Sequence, residues 1–105
     1  MVGVVSFGAY IPWYRISRKL LAQAWGWLSP PGVPGEKAVA NYDEDSVTMA
    51  VSAGADCITG IDREAIDGVY LATTSPPFKE RENAEIVATA LDLRPEIHTA
   101  DFAST

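Results

Sequence analysis

The chain has a single cysteine and a single histidine among its 105 residues. One thiol cannot close an internal disulfide, nor can it supply a multi-cysteine zinc site. Cations are also scarce: eight Lys and Arg stand against fourteen Asp and Glu, a net charge of −6. That balance disfavours a general nucleic-acid binder, which would need a basic face. It also removes polybasic attraction to anionic lipid. No apolar run approaches the roughly twenty residues of a membrane helix. The opening MVGVVSFGAY lacks the basic flank and long apolar region of a secretory signal. The expected address is the cytoplasm, with no nucleic-acid or membrane partner.

Familiar signatures are missing as well. There is no G-x-x-x-x-G-K-S/T loop for phosphates, no G-x-G-x-x-G, no H-E-x-x-H and no G-x-S-x-G. Nucleotide hydrolysis, dinucleotide binding and zinc proteolysis lose their usual support.

What remains is 48% hydrophobic and 21% charged, the balance of a globular protein with one modest core. Val2 to Ala9 is β-branched and aromatic and reads as a buried strand. Pro12 interrupts it, and Tyr14-Arg15-Ile16 reads as a short extended return. Ser17 can cap a helix from Arg18 to Trp25, with Leu20, Leu21, Ala24, Trp25 and Leu28 on one stripe and Gly26 at its end. The stretch SPPGVPG at 29–35 cannot continue a helix and is read as a loop.

A second helix starts where Asp43, Glu44 and Asp45 put negative charge at its positive end, with Asp45 or Ser46 as the cap. Val47, Ala50, Val51, Gly54, Cys57, Ile58 and Ile61 then recur at helical spacing. Ala50 and Gly54, mid-stripe, allow a close approach to a neighbour. Ile66 to Thr73 is nearly continuously apolar, which suggests a strand covered on both faces, as in a parallel sheet. Pro76-Pro77 ends it. Asn83 is the expected cap of a third helix with Ala84, Val87, Ala88 and Leu91 inward, widened by Ile86, Ala90 and Leu93. After Pro95, Ile97 to Phe102 reads as the last strand. The order β-α-α-β-α-β predicts an α/β fold with a mainly parallel sheet.

Few residues suggest chemistry. Cys57 falls on an apolar helix stripe after Asp56, the setting of a packed thiol and not of a nucleophile. His98 lies on a strand between Ile97 and Thr99 and reads as structural. The Asp43-Glu44-Asp45 run lacks the glycine and distal glutamate of a calcium loop, so no metal is expected. Lys79-Glu80-Arg81-Glu82 mixes both signs and reads as an exposed helix start. The best location for a site is Thr73-Thr74-Ser75, because ligands of open α/β sheets sit outside the carboxyl ends of strands. A polar turn that merely ends the strand is the competing reading.

Three stretches, V-G-V-V-S-F-G-A-Y-I-P, G-E-K-A-V-A-N-Y-D-E-D-S-V-T-M-A and D-G-V-Y-L-A-T-T-S-P-P-F, resemble the N-terminal region of hydroxymethylglutaryl-CoA synthases of the archaeal and bacterial branch. The resemblance runs in order along essentially the whole chain. It implies a thiolase-like fold of layered helices and sheets (αβαβα), of which residues 1–105 would be an incomplete N-terminal domain, and normally an oligomer. It implies a Claisen-type condensation of acyl-CoA thioesters, with acyl-CoA as substrate and no separate cofactor. In that chemistry a cysteine is acylated, a glutamate acts as general acid and base, and a histidine helps hold the acceptor.

Position by position, the family's glutamate falls at Thr74, flanked by Thr73 and Ser75. Threonine cannot exchange a proton near neutral pH as a tuned carboxylate does. The nucleophilic cysteine would fall at or just beyond Thr105, and Cys57 and His98 are not the family's residues. Arg15 and Lys37 sit in segments near which the family binds CoA phosphates; ordinary surface cations are the alternative. The resemblance thus implies a chain inactive alone, completed by a C-terminal thiolase-like polypeptide or subunit, with Ile97 to Phe102 buried against another chain or further sequence. A non-catalytic scaffold subunit of a ketosynthase-like complex is the other expectation.

Overall fold

The second helix of the sequence is also the best capped one. In the computed structural model, which describes residues 2–25, 34–79 and 81–103, the chain forms four short strands and three helices. They are β1 (Tyr14–Ser17), α1 (Arg18–Trp25), β2 (Glu36–Val39), α2 (Ser46–Cys57), β3 (Gly68–Thr73), α3 (Asn83–Ala90) and β4 (His98–Ala103). A 3₁₀ turn, Arg63–Ala65, precedes β3. These residues divide into two compact units: the residues up to Tyr10 with those from Asp45 onward, and Ile11–Glu44.

In the first unit, the Asp45 carboxylate accepts from the Thr48 N–H at 2.9 Å, and the Thr48 hydroxyl accepts from the Asp45 N–H at 2.9 Å. Two otherwise orphaned donors at the start of α2 are thus satisfied reciprocally. Val47 is buried, and Ala50, Val51 and Ile58 pack on the core beside it. The helix stops at Cys57, so Ile61 does not extend the stripe; its N–H closes a turn on the Ile58 carbonyl at 2.9 Å. At Gly54 a Cβ would sit 2.9 Å from Leu91 Cδ1, so the expected close approach is made with α3.

β3 and β4 pair in parallel, from Gly68 opposite His98 to Thr73 opposite Ala103. β3 begins two residues later than the apolar pattern suggests, because the Ile66 N–H closes the 3₁₀ turn on Arg63. Between the strands runs α3, whose Ala84, Val87, Ala88 and Leu91 are all buried, with Leu93 just beyond. The helix ends when Leu93 N–H reaches back to Ala88 and Asp92 N–H to Thr89, both at 3.0 Å, with Asp92 at φ 58°. This is the paired closure that normally takes glycine at the left-handed position. Arg94 then ties the start of β4 to the chain before β3, donating to the Ile66 carbonyl at 2.8 Å and to Asp67 at 2.7 Å.

Three expectations are corrected in this unit. Asn83 is the first residue of α3 and not its cap; the capping position is Glu82, which makes no side-chain cap bond. Second, β3 is not covered on both faces among the described residues. Val69 and Leu71 pack on the core, whereas Tyr70 is 64% exposed and stacks edge-on against His98 and Phe102. Third, residues 2–9 form no strand. A strand exists only through a ladder, and no described strand offers this segment one. Its residues do alternate: Ser6, Gly8 and Tyr10 turn inward while Val5 and Phe7 are 90% and 87% exposed. Ser6 and Gly8 lie on α2. The Ser6 hydroxyl donates to the Cys57 carbonyl at 2.7 Å, and the Ala9 N–H to Asp56 at 3.2 Å. A Cβ on Gly8 would fall 2.8 Å from Cys57 Cα.

In the second unit, β1 and β2 form an antiparallel ribbon with Tyr14 opposite Val39 and Ser17 opposite Glu36. β2 carries Glu36 and Lys37 in four residues, too short and too charged to show a strand period. α1 starts where expected, with the Leu20 N–H 3.4 Å from the Ser17 hydroxyl oxygen. Its stripe is not buried as expected: Leu20 is 59% exposed. Gly26, Leu28 and the 29–33 part of the Pro/Gly stretch lie outside the described residues. The described strands therefore make two small sheets, one antiparallel and one parallel, in place of a single mainly parallel one.

Candidate functional site

The carboxyl ends of β3 and β4 come together at Thr73 and Ala103, the last pair of the ladder. The chain leaves β3 through Thr73-Thr74-Ser75, so the hydroxyl cluster sits at the end of a parallel pair, where α/β folds place ligands. The Thr73 hydroxyl accepts from the Ser75 N–H at 3.2 Å. The Ser75 carbonyl accepts from the Ser46 hydroxyl, at the start of α2, at 3.1 Å. Thr73 is half-buried, while Thr74 and Ser75 are exposed. One local turn thus brings all three candidate residues to the same strand end and leaves Thr74 on the surface.

Two residues that the sequence reading did not place in this site bound it on the other side. Asp101, opposite Leu71 in the ladder, aims its carboxylate at the start of α3. It accepts from the Asn83 N–H and the Ala84 N–H, each at 2.7 Å, and from the Asn83 side-chain amide at 2.9 Å. Desolvation, the largest single influence on this carboxyl, raises its pKa. The three hydrogen bonds to Asn83 and Ala84 outweigh it and hold the pKa below the usual aspartate value. The signal was present in the sequence as a lone carboxylate inside HTADFA, a stretch otherwise fit for a strand.

Arg15 and Lys37 belong to the second unit. Arg15 turns its guanidinium back on the carbonyls of Pro12 and Tyr14, the latter at 3.0 Å. In the ribbon, Arg15 faces Ala38 and Lys37 faces Ile16. Residues opposite each other share a face and neighbours alternate, so the two cations stand on opposite faces of the ribbon. Cys57 is half-buried, its carbonyl taken by Ser6. His98 is exposed, its ring centroid 5.6 Å from that of Tyr70. Asp45, in the acidic run, is engaged in capping α2. Among the described residues no three or more His, Cys, Asp or Glu are grouped closely enough to hold a metal ion. No described helix is long and apolar enough to cross a membrane. A cleft of about 380 Å³ opens near the end of α3, lined by residues that include Thr89, Arg94 and Thr99; none of Thr73, Thr74 or Ser75 lines it.

No family model matches the chain. A hydroxymethylglutaryl-CoA synthase of Pyrococcus furiosus is 36% identical over 103 residues, covering 96% of this chain and 29% of that protein. One from Methanobrevibacter smithii is 38% identical over 108 residues, covering 97% of this chain and 31% of its own length. The chain matches the N-terminal portion of the hydroxymethylglutaryl-CoA synthases. A crystal structure of hydroxymethylglutaryl-CoA synthase complexed with CoA superposes with a TM-score of 0.79 at 26% identity, covering 94% of this chain and 26% of that one. The priming β-ketosynthase of the R1128 polyketide pathway superposes with a TM-score of 0.80 at 21% identity, covering 96% of this chain and 32% of that one. The fold is thiolase-like α/β. The chain spans under a third of the length of the hydroxymethylglutaryl-CoA synthases it matches.

Proposed function

We propose that this chain is the N-terminal part of a hydroxymethylglutaryl-CoA synthase-like acyltransferase, acting on acyl-CoA thioesters in the cytoplasm. Further polypeptide, in the same chain or a second subunit, carries the nucleophilic cysteine and the histidine. The observation that carries this reading is the 36% identity to a hydroxymethylglutaryl-CoA synthase along 96% of the chain. The gathering of Thr73, Thr74 and Ser75 at the end of a parallel strand pair supports it. Acyl-CoA is the substrate and no further cofactor is required. Arg15 and Lys37 are candidate contacts for its phosphates. The remaining polypeptide packs along Ile97 to Phe102, where Phe102 is 59% exposed.

Thr74 decides how far the activity follows the family. A hydroxyl at that position cannot take a proton from a donor methyl group near neutral pH. The part it can play is to hold a thioester by hydrogen bonding while another group moves the proton. The test adds the complementary C-terminal polypeptide to the purified chain and follows acyl transfer from acetyl-CoA. The chain alone shows none, the pair restores it, and Thr74→Ala lowers the restored rate about tenfold, the order expected for one lost hydrogen bond to a reacting group. Turnover of acetyl-CoA by the chain alone overturns the reading that it is incomplete.

The Thr74 departure also favours a second reading, a scaffold subunit of a ketosynthase-like complex that performs no chemistry itself. The same experiment separates them: a scaffold keeps the activity of its assembled partner unchanged in Thr74→Ala.

A further inference from the structure

Five hydrogen bonds join three pieces of chain around Asn83. Its N–H and its side-chain amide donate to Asp101 Oδ2 at 2.7 and 2.9 Å, and the Ala84 N–H donates to Oδ1 at 2.7 Å. The same side chain also faces Phe78, accepting from its N–H at 3.2 Å and donating to its carbonyl at 3.0 Å. The amide oxygen and both amide protons are engaged, and the residue is 1% exposed. A buried amide with every group committed has one arrangement that satisfies it.

Capping α3 does not require this arrangement. Asp101 caps the two helix-start donors through the backbone N–H groups of Asn83 and Ala84, and any residue but proline at position 83 would supply its share. What the Asn83 side chain adds is one more bond to Asp101 and the pair of bonds to Phe78, at the far end of the loop that begins with Thr74 and Ser75. The near end of that loop is already fixed by Thr73 and Ser46. We infer that Asn83 and Asp101 form a latch that pins the loop of residues 74–78 to β4, making both of them positioning residues for the Thr73–Ser75 site. The latch is independent of which chemistry that site performs. The lowered pKa of Asp101 agrees with it, since the bonds that make the latch favour the ionised carboxylate.

Amide hydrogen exchange of the whole chain, read residue by residue, tests the latch. Asn83→Ala keeps both backbone donors to Asp101 and loses the side-chain links to Phe78 and to Asp101 Oδ2. The Phe78 amide then exchanges roughly tenfold faster, while the Val69–Thr73 ladder amides keep their protection. Unchanged protection at Phe78 overturns the inference. So does an equal acceleration at Phe78 and along the ladder, which reports general destabilisation.

A second measurement needs no variant. In the unaltered chain the Phe78 amide resonance moves with the same midpoint as the Asp101 carboxyl carbon. Among the described residues, the other titratable or charged groups on the surrounding elements are Tyr70 on β3, His98 on β4, Glu82 and Glu85 at the start of α3, and Lys79 and Arg81 in the loop. The carboxyl carbons of Asp101, Glu82 and Glu85 are each followed separately. A Phe78 resonance that ignores Asp101, or follows Glu82, overturns the latch.

Discussion

Asp101 combines a strand position with a helix-capping role, and its protonation therefore reaches stability. Its folded pKa lies below the usual aspartate value, which is about 3.9 in an unfolded chain. A depressed pKa contributes stability that is present above the unfolded value and is lost as pH falls through the folded one. Urea unfolding of Asp101→Asn near neutral pH is expected to show a loss of about 1 kcal/mol, the usual worth of a cap. As pH falls through the folded pKa of Asp101, the parent loses that advantage and the two converge. Asp92 is the opposite case, a residue whose backbone works against it. At φ 58° a side chain costs about 1–2 kcal/mol that glycine does not, offset by the 0.5–1 kcal/mol of extra freedom glycine has when unfolded. Asp92→Gly is expected to raise the unfolding free energy by about 0.5 kcal/mol on balance, read as a higher urea midpoint.

Among the elements, those with a strong period were legible in advance and those held by partners were not. α2 and α3 appear where the apolar spacing puts them, with Val47, Val87, Ala88 and Leu91 buried. β3 and β4 appear within two residues of their sequence bounds. β2 was missed because four residues containing Glu36 and Lys37 carry no period. The segment at 2–9 misled in the other direction: its composition is that of a strand, but pairing is a property of two segments, and no described strand pairs with it. Gly8 shows what it does instead. A methyl there meets the backbone of Cys57 and comes within 2.5 Å of the Ala53 carbonyl oxygen, atoms that cannot move without distorting α2. Gly8→Ala is expected to lift the segment and to cost about 1–3 kcal/mol by urea unfolding. Faster exchange of the Ala9 amide, now bonded to Asp56, would mark the segment's release. The candidate site was half legible: Thr73, Thr74 and Ser75 follow from their place at a strand end. Asp101 and Asn83 do not, because their meeting spans 18 residues.

Across the whole molecule, every buried apolar side chain among the described residues belongs to one unit. Val47, Ala84, Val87, Ala88, Leu91 and Leu93 all lie beyond Asp45, and none falls within Ile11–Glu44. Local stability follows buried apolar contact. The amides of the β1–β2 ribbon are therefore expected to exchange at least tenfold faster than those of β3 and β4, measured on the intact chain under native conditions. Equal protection in both would mean that something other than this core stabilises the ribbon. The docking of residues 6–9 on α2 has a consequence for biosynthesis. Ser6 finds its acceptor 51 positions later, at Cys57, and the ribosome delivers the chain in order. Ser6 and Gly8 are made long before Cys57, so this segment has nothing to dock on until about fifty further residues have left the ribosome.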